Sequence, residues 1–324
     1  MTTLGDWPLG ESRFPDDSLP AGWGLDDLKN RREAGRGSTG VVYTGVLHTG
    51  LHVAVKKVVP GSMSEVARIS QEIKLNKLFG NSTGFVTFYA ATKTRNTDPG
   101  EPVYIVMEKG AGNLRDLVVG RSFRKVSKAC RIRFFLEVAR ALREMHRRGV
   151  AHRDVRPSNV LLVGDPRRPE TCSAVLCDYG CACSFLGGRW SSFDKYAGAF
   201  NYMPPEALDK NPKVDPSRDA YALGLLLFQM FMRRAAPALT PSALAEWSRR
   251  DPEISEIGRA LLRRDVDHRI SVDDAIGLIE HLAHKHGIAL EPASSEAEPR
   301  PEKRSPGLIP RLRVRLTTCF AAGC

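Results

Sequence analysis

The sequence predicts an α+β fold in two lobes, a small strand-rich part followed by a larger helical one. Three features carry this. Short apolar, β-branched runs recur between Leu28 and Met107. A single stretch of helical spacing interrupts them. From Gly110 onward the apolar residues return with a helical period.

Residues 1–26 are punctuated by Pro8, Pro15, Pro20, Gly22 and Gly24 and are expected to form a flexible, loosely docked arm. Strands follow at Val41-Val42-Tyr43, Val53-Ala54-Val55 and Val103-Tyr104-Ile105-Val106. The strand before them is thin, with Arg31, Arg32 and Glu33 where apolar residues would alternate. Val66, Ile69 and Ile73 predict a helix from Ser64 to Phe79, with Ser64 as N-cap and Glu65 in its first turn. In the second part, Ile132, Phe135, Leu136, Ala139, Leu142 and Met145 share one face of a helix predicted over Ser127 to Arg148. Arg218 to Met232 is apolar nearly all round, as a buried helix would be, and Ser271 to His284 reads as the closing helix. Beyond Gly287 the chain turns rich in Pro, Glu and Ser, so residues 288–324 are expected to be a disordered basic tail.

A chain of 324 residues, 42% apolar, can bury a sizeable core, and no apolar run approaches a membrane span. The acids, Gly and Pro of Met1 to Asn30 argue against a secretory signal, and Thr2 after Met1 argues against myristoylation. A cytosolic or nuclear chain is expected. The seven cysteines are odd in number, and Cys172, Cys177, Cys181 and Cys183 crowd together without a common zinc spacing. Cys172 and Cys177 read instead as small buried hydrophobes. The net charge of +11 is spread over Arg121–Arg133, Arg140–Arg148 and the tail, with no aromatic-studded basic module. It reads as a solvated face, and no specific nucleic-acid binding is expected.

Four segments carry chemistry. Gly35-Arg36-Gly37-Ser38-Thr39-Gly40-Val41-Val42 lies between two strand candidates, where glycines let the backbone approach phosphates. It opens no helix, which counts against a dinucleotide fold. Lys56, in Val53-Ala54-Val55-Lys56, follows on the next strand and suits a phosphate. Glu65 and Glu72 lie two turns apart on the helix, so either can hold that lysine; Glu72 is preferred. In His152-Arg153-Asp154-Val155-Arg156-Pro157-Ser158-Asn159, Asp154 can accept a proton from a hydroxyl and the Asn159 amide oxygen can bind a metal. Val175-Leu176-Cys177-Asp178-Tyr179-Gly180 ends a strand in an acid suited to Mg²⁺.

Together, in this order, these segments resemble the protein kinase signature: the glycine loop, the V-A-x-K lysine, the H-R-D-x-x-x-x-N loop, D-F-G and A-P-E, the last matched by Met203-Pro204-Pro205-Glu206. The resemblance covers roughly Leu28 to Gly287. It implies the bilobal kinase fold, with an N-lobe over 27–107, a hinge at 108–111 and a C-lobe over 112–287. It implies ATP and Mg²⁺ as cofactors, a protein substrate and a monomer. Gly35, Arg36, Gly37, Ser38 and Gly40 would cover ATP, and Val42 and Ala54 would sandwich the adenine. Met107 would be gatekeeper, with Glu108 to Gly110 as the hinge. Lys56, held by Glu72, would reach the α- and β-phosphates. Asn159 and Asp178 would hold Mg²⁺, Asp154 would orient the attacking hydroxyl, and Arg156 would stand near the γ-phosphate. Asp219 is similar to the buried acid that anchors the catalytic loop, and Arg269 to the late arginine that pairs with Glu206.

The chain departs from the pattern at Tyr179, where D-F-G has Phe, and at Arg156 and Ala199, where serine/threonine kinases usually have Lys and Thr. Arg156 keeps the charge but changes its geometry. Pro157 favours serine/threonine over tyrosine as acceptor. Asn76 lies where an apolar residue would pack behind Glu72, and it needs a partner. The alternative functions are a pseudokinase scaffold, a tyrosine-specific kinase and a small-molecule kinase; intact Lys56, Asp154, Asn159 and Asp178 argue against the first. Between Asp178 and Glu206, a phosphate on Ser191, Ser192 or Tyr196 would pair with Arg153. In the tail, Arg311 to Leu316 with Cys319 and Cys324 permits membrane contact, but a disordered tail is preferred. The compact domain and heavy use of Arg resemble kinases of large DNA viruses.

Overall fold

The computed structural model describes residues 17–19, 22–37, 39–92, 94, 97–120, 126–165, 167–185, 198–208, 215–234 and 239–291. The chain forms two compact units. The first runs to Val66 and takes in Tyr89–Met107; the second contains Ala67–Phe88 and continues from Glu108.

The first unit is built on a five-stranded sheet in the order β1-β2-β3-β5-β4. Its strands are β1 (Lys29–Gly37), β2 (Gly40–Val46), β3 (His52–Val58), β4 (Phe88–Ala91) and β5 (Val103–Glu108). Val53, Val55, Tyr104 and Val106 turn inward to a core shared with Leu19, Leu28 and Ala90. Strand β1 is exposed along its whole length and shifts register twice against β2, between Lys29 and Arg32 and between Glu33 and Gly35. The charged residues that made it look thin in sequence suit an edge strand, where they discourage pairing with another chain.

The described part of the expected flexible arm is packed onto this sheet. Ser18 bridges to Ala91, the Leu19 N–H donates to Ala91 O at 2.8 Å, and Trp23 meets the Tyr104 ring edge-on at 5.4 Å. Two large apolar side chains among the prolines supply that contact, which composition alone conceals. Helix α1 (Met63–Phe79) starts one residue earlier than expected. Ser62, not Ser64, is the cap: its Oγ accepts the Glu65 N–H at 3.3 Å, and the Glu65 carboxylate accepts the Gly61 N–H at 2.7 Å. Ser64 is already helical and its Oγ pairs with that of Ser62.

The second unit is helical, with α2 (Leu114–Val119), α3 (Lys128–Arg147), α4 (Ser217–Met232), α5 (Pro241–Arg250), α6 (Pro252–Leu261) and α7 (Val272–Lys285). Ser127 caps α3 through the Cys130 N–H, and Ser271 forms a capping box with Asp274 at the start of α7. Helix α4 is buried almost all round. Helices α5 and α6 were not foreseen, although each begins with Pro at its first position, after Thr240 and Asp251.

Short strands carry the loops that matter. β6 (Gly112–Asn113), β8 (Val160–Val163) and β9 (Ser173–Leu176) form one antiparallel sheet, while β7 (Val150–Ala151) pairs with β10 (Cys183–Ser184). Buried Arg133 on α3 ties the turn between β8 and β9 to the helix. Its guanidinium donates to the carbonyls of Cys172, Pro169 and Glu170 and pairs with Glu137, whose other oxygen takes the Ala174 N–H at 2.7 Å.

Where α5 meets α6, a Cβ built on Gly258 would overlap the ring of fully buried Trp247. Gly258→Ala should therefore destabilise the protein by about 1–3 kcal/mol. A lowered denaturant midpoint at unchanged slope would show it, and an unchanged midpoint would mean that the ring moves freely.

Candidate active site

The catalytic-loop candidates hang between β7 and β8, and their shape is set by a carboxylate on α4. Asp219, fully buried, accepts the His152 N–H and the Arg153 N–H at 2.7 Å each, and His146 Nε2 lies 2.8 Å away. Burial opposes ionisation of this group, but the bond from His146 and the nearby His152 outweigh it and hold the carboxyl below its ordinary value. Arg153 takes a left-handed backbone, φ 65°, a conformation that costs a non-glycine residue about 1–2 kcal/mol. His152 is locked as well: Nδ1 accepts the Asp154 N–H at 3.3 Å, so Nε2 donates to Cys177 O at 3.2 Å.

Asp154 is thereby presented with both oxygens in defined contacts. Oδ1 accepts the Ala199 N–H at 2.9 Å; Oδ2 accepts Asn159 Nδ2 at 2.7 Å and Arg156 Nε at 3.1 Å. Asn159 Nδ2 also donates to Asp154 O at 2.9 Å. Both amide hydrogens of Asn159 are thus directed at Asp154, which leaves Oδ1 as the acceptor end of the side chain. The two departures noted in sequence meet at this carboxylate, Ala199 through its backbone rather than a hydroxyl.

Asp178 follows β9, also with a left-handed backbone, φ 68°. Next to it Tyr179 is 1% exposed and packs against Phe79, Phe85 and His152 at centroid distances of 5.9, 6.5 and 6.0 Å. Its hydroxyl is buried with no hydrogen-bond partner, and burial, aided by Cys177, pushes the phenol well above its ordinary value. Gly180 has little room: an added Cβ would stand 3.3 Å from Asp178 Oδ1 and 3.3 Å from Glu72 Oε2. Glu72 is itself buried, unlike Glu65, which is used at the start of α1. Asn76 finds the partner it needs inside its own helix, donating to Glu72 O at 2.9 Å.

In the first unit, Val42 pairs with Lys56 across β2 and β3, and Lys56 is 6% exposed despite its charge. Gly40 has φ 147°, and a Cβ there would overlap Lys57 O, so the turn itself demands glycine. Gly35 and Gly37 face open space, where no local contact demands glycine. Arg36 pairs with Glu33 at 3.1 Å, and Ala54 is buried. Ser38 lies outside the described residues, as do Ser191, Ser192, Tyr196, Cys319 and Cys324. Met107 is the last residue but one of β5 and is half-buried. Glu108 is fastened to Thr87, whose hydroxyl donates to Oε2 at 2.8 Å, and Gly110 lies close to Leu161.

The pair expected between Glu206 and Arg269 is present and bidentate, with Arg269 Nη2 donating to Oε2 at 3.0 Å. Sequence reasoning missed three supports: His146 on Asp219, Glu108 on Thr87, and Tyr202, whose hydroxyl donates to Gln229 at 2.8 Å. Only the helical register of His146 toward α4 could have hinted at the first.

Two outcomes follow from these contacts. Tyr179→Phe removes a hydroxyl that has no partner and should stabilise the protein by about 1 kcal/mol, read as a rise in melting temperature. Asp219→Asn should cost about 3 kcal/mol at neutral pH. Because the folded carboxyl lies below its ordinary 3.8, its contribution is present above that value and fades as pH falls through the folded one. The stability gap between wild type and Asp219→Asn should therefore narrow below about pH 4; a gap independent of pH would contradict the linkage.

Comparison with known proteins gives the family. The protein kinase domain model matches residues 28–282. A probable serine/threonine-protein kinase zyg-1 of Caenorhabditis briggsae is 26% identical over 277 residues, 85% of this chain and 36% of that protein. The serine/threonine-protein kinase mos of Patiria pectinifera is 31% identical over 204 residues, 61% of this chain and 55% of that protein. Mitogen-activated protein kinase 15 of Mus musculus is 28% identical over 208 residues, 62% of this chain and 36% of that protein. The chain spans between 36% and 55% of the length of these relatives. With the family model covering most of its length and the fold formed as a sheet followed by helices, the chain belongs to the eukaryotic-type protein kinase family.

Proposed function

We propose that the chain transfers the γ-phosphate of ATP to serine and threonine hydroxyls of protein substrates. The observation that carries this reading is the Asp154 carboxylate, 6% exposed and held by the Asn159 amide, the Arg156 guanidinium and the Ala199 N–H. Groups fixed in this way are suited to phosphoryl transfer, where catalysis is largely positioning and electrostatics.

The residues present fit Mg²⁺ and ATP. Asn159 is oriented with its amide oxygen left over, and Asp178 offers a carboxylate on a strained turn, the oxygen donors a hard cation takes. Lys56 is a buried cation on β3, next to a turn that demands glycine at Gly40. When bound, Mg²⁺-ATP supplies the phosphoryl group and the cation that spreads its charge. Lys56 would bind the α- and β-phosphates; Asn159 and Asp178 would hold Mg²⁺. Asp154 orients the acceptor hydroxyl and takes its proton. Arg156 keeps a positive charge beside that carboxylate, at the place where phosphate charge arrives. Pro157 and the serine/threonine kinases among the relatives support serine and threonine as acceptors.

Phosphate transfer from Mg²⁺-ATP to a mixed peptide library tests this. Serine and threonine should be labelled, and Asp154→Asn should lower the rate at least about 10²-fold. Transfer to tyrosine would correct the acceptor class. Equal rates in both proteins would remove Asp154 from its role, and no transfer by either would favour a scaffold.

A further inference from the structure

Arg218, the second residue of α4, is 3% exposed, and its Nη1 is buried with no hydrogen-bond partner. The hydroxyl of Ser217 beside it is buried and unpartnered too. A guanidinium cannot shed its proton to escape such a site, and an unmatched buried charge costs several kcal/mol. Buried polar groups without partners are rare enough in folded proteins that each calls for a specific cause.

Among the described residues, no acceptor reaches Arg218 Nη1. The two described carboxylates that act on its charge, Asp219 and Glu206, are already committed. Asp219 spends Oδ1 on the Arg153 N–H and Oδ2 on the His152 N–H and His146, while both oxygens of Glu206 go to Arg269. Arg153 donates its Nε to Cys181 O at 2.6 Å, next to β10, and it lies close enough to Arg218 to disfavour its charge. The first-turn N–H groups of α4 have acceptors of their own: Ser217 on Asp215 Oδ1, Arg218 on Asp215 O, and Asp219 on Pro216 O. What remains unmet is a pair of side-chain donors at the positive end of a 16-residue helix.

We propose that Ser217 and Arg218 form an oxyanion site at the start of α4, and that its ligand is a phosphate group. A tetrahedral oxyanion offers several acceptors at once and takes paired bonds from a guanidinium, so one ligand answers both the charge and the hydrogen-bond deficit. The site does not depend on the proposed transferase reaction. Because Asp219 follows directly in the helix and fixes the backbone of His152 and Arg153, occupation would stiffen the segment that carries Asp154.

The probe is inorganic phosphate, tested against chloride at equal ionic strength, with melting temperature as readout on the full chain. The chain is compared as purified and after phosphatase treatment, with removal confirmed by intact mass. Phosphatase-treated wild type should gain on the order of 5 °C at saturating phosphate. Arg218→Met should gain nothing specific to phosphate, and should be at least as stable as wild type in chloride because it lacks the buried charge. Arg218→Lys, which keeps the charge but not the fork, should gain less than wild type. If the phosphate is carried on the chain, the untreated protein starts at the higher temperature and responds only after treatment; if it is free phosphate, both preparations respond alike. Equal responses of wild type and Arg218→Met, or no response of treated wild type, would overturn the site.

Discussion

Among all contacts in the second unit, the reach of the Asp219 carboxylate into the loop after β7 is the one from which the candidate site follows. A buried carboxylate is costly unless several donors offset it, and here the donors are two consecutive backbone N–H groups and a histidine. Those N–H groups need it equally. With Arg153 in a left-handed conformation, the chain at His152–Arg153 cannot continue a strand ladder, so no regular structure would satisfy them. Donor and acceptor remove each other's penalty, and the product is a loop with one shape. That shape sets Asp154 where Asn159, Arg156 and Ala199 converge on it.

The helix carrying Asp219 has to be immobile for this to work, and its burial explains how it is. Helix α4 is apolar nearly all round, so Arg218, Asp219 and Gln229 are buried polar exceptions on it. Two of them, Asp219 and Gln229, point at the same region. Asp219 holds the loop, while Gln229 takes the hydroxyl of Tyr202, three residues beyond the Ala199 whose N–H reaches Asp154. The Glu206–Arg269 pair pins the end of that segment from the other side. Strain at Arg153 and Asp178 sits between these fixed points, as expected where surrounding structure over-determines a functional conformation.

Much of this was legible in sequence, because glycine, lysine, aspartate and asparagine at fixed intervals carry chemistry that few other arrangements need. The long helices were legible too, since a 20-residue amphipathic period such as that of α3 leaves little room for another reading. What escaped was whatever depended on contacts distant in the chain. Composition made residues 1–26 look loose, yet Leu19 and Trp23 find a sheet that sequence order does not place beside them. Ser62 and Ser64 are both good caps, and only the path of the chain at Gly61 selects the first. Asn76 looked like a defect behind Glu72 because the accessible acceptor, a carbonyl one turn back, is present in every helix and marked by no residue type. Helices α5 and α6 announce themselves through Thr-Pro and Asp-Pro starts, a signal that was present and passed over.

The buried arginines sharpen the distinction between charge that builds a fold and charge that awaits something. Arg133 and Arg269 are as deeply placed as Arg218. Arg133 meets three carbonyls and Glu137; Arg269 meets both oxygens of Glu206, two carbonyls and the face of Tyr221 at 5.0 Å. In each, the planar fork is filled, and the residue joins segments far apart in the chain. Arg218 has Nη1 buried with no partner. A fold that saturates two guanidinium groups so fully has the means to saturate a third, and a hydrophobic residue of similar volume would fill the same space without the penalty. An unsaturated cation next to the carboxylate that shapes the loop carrying Asp154 is therefore better explained by a ligand than by packing.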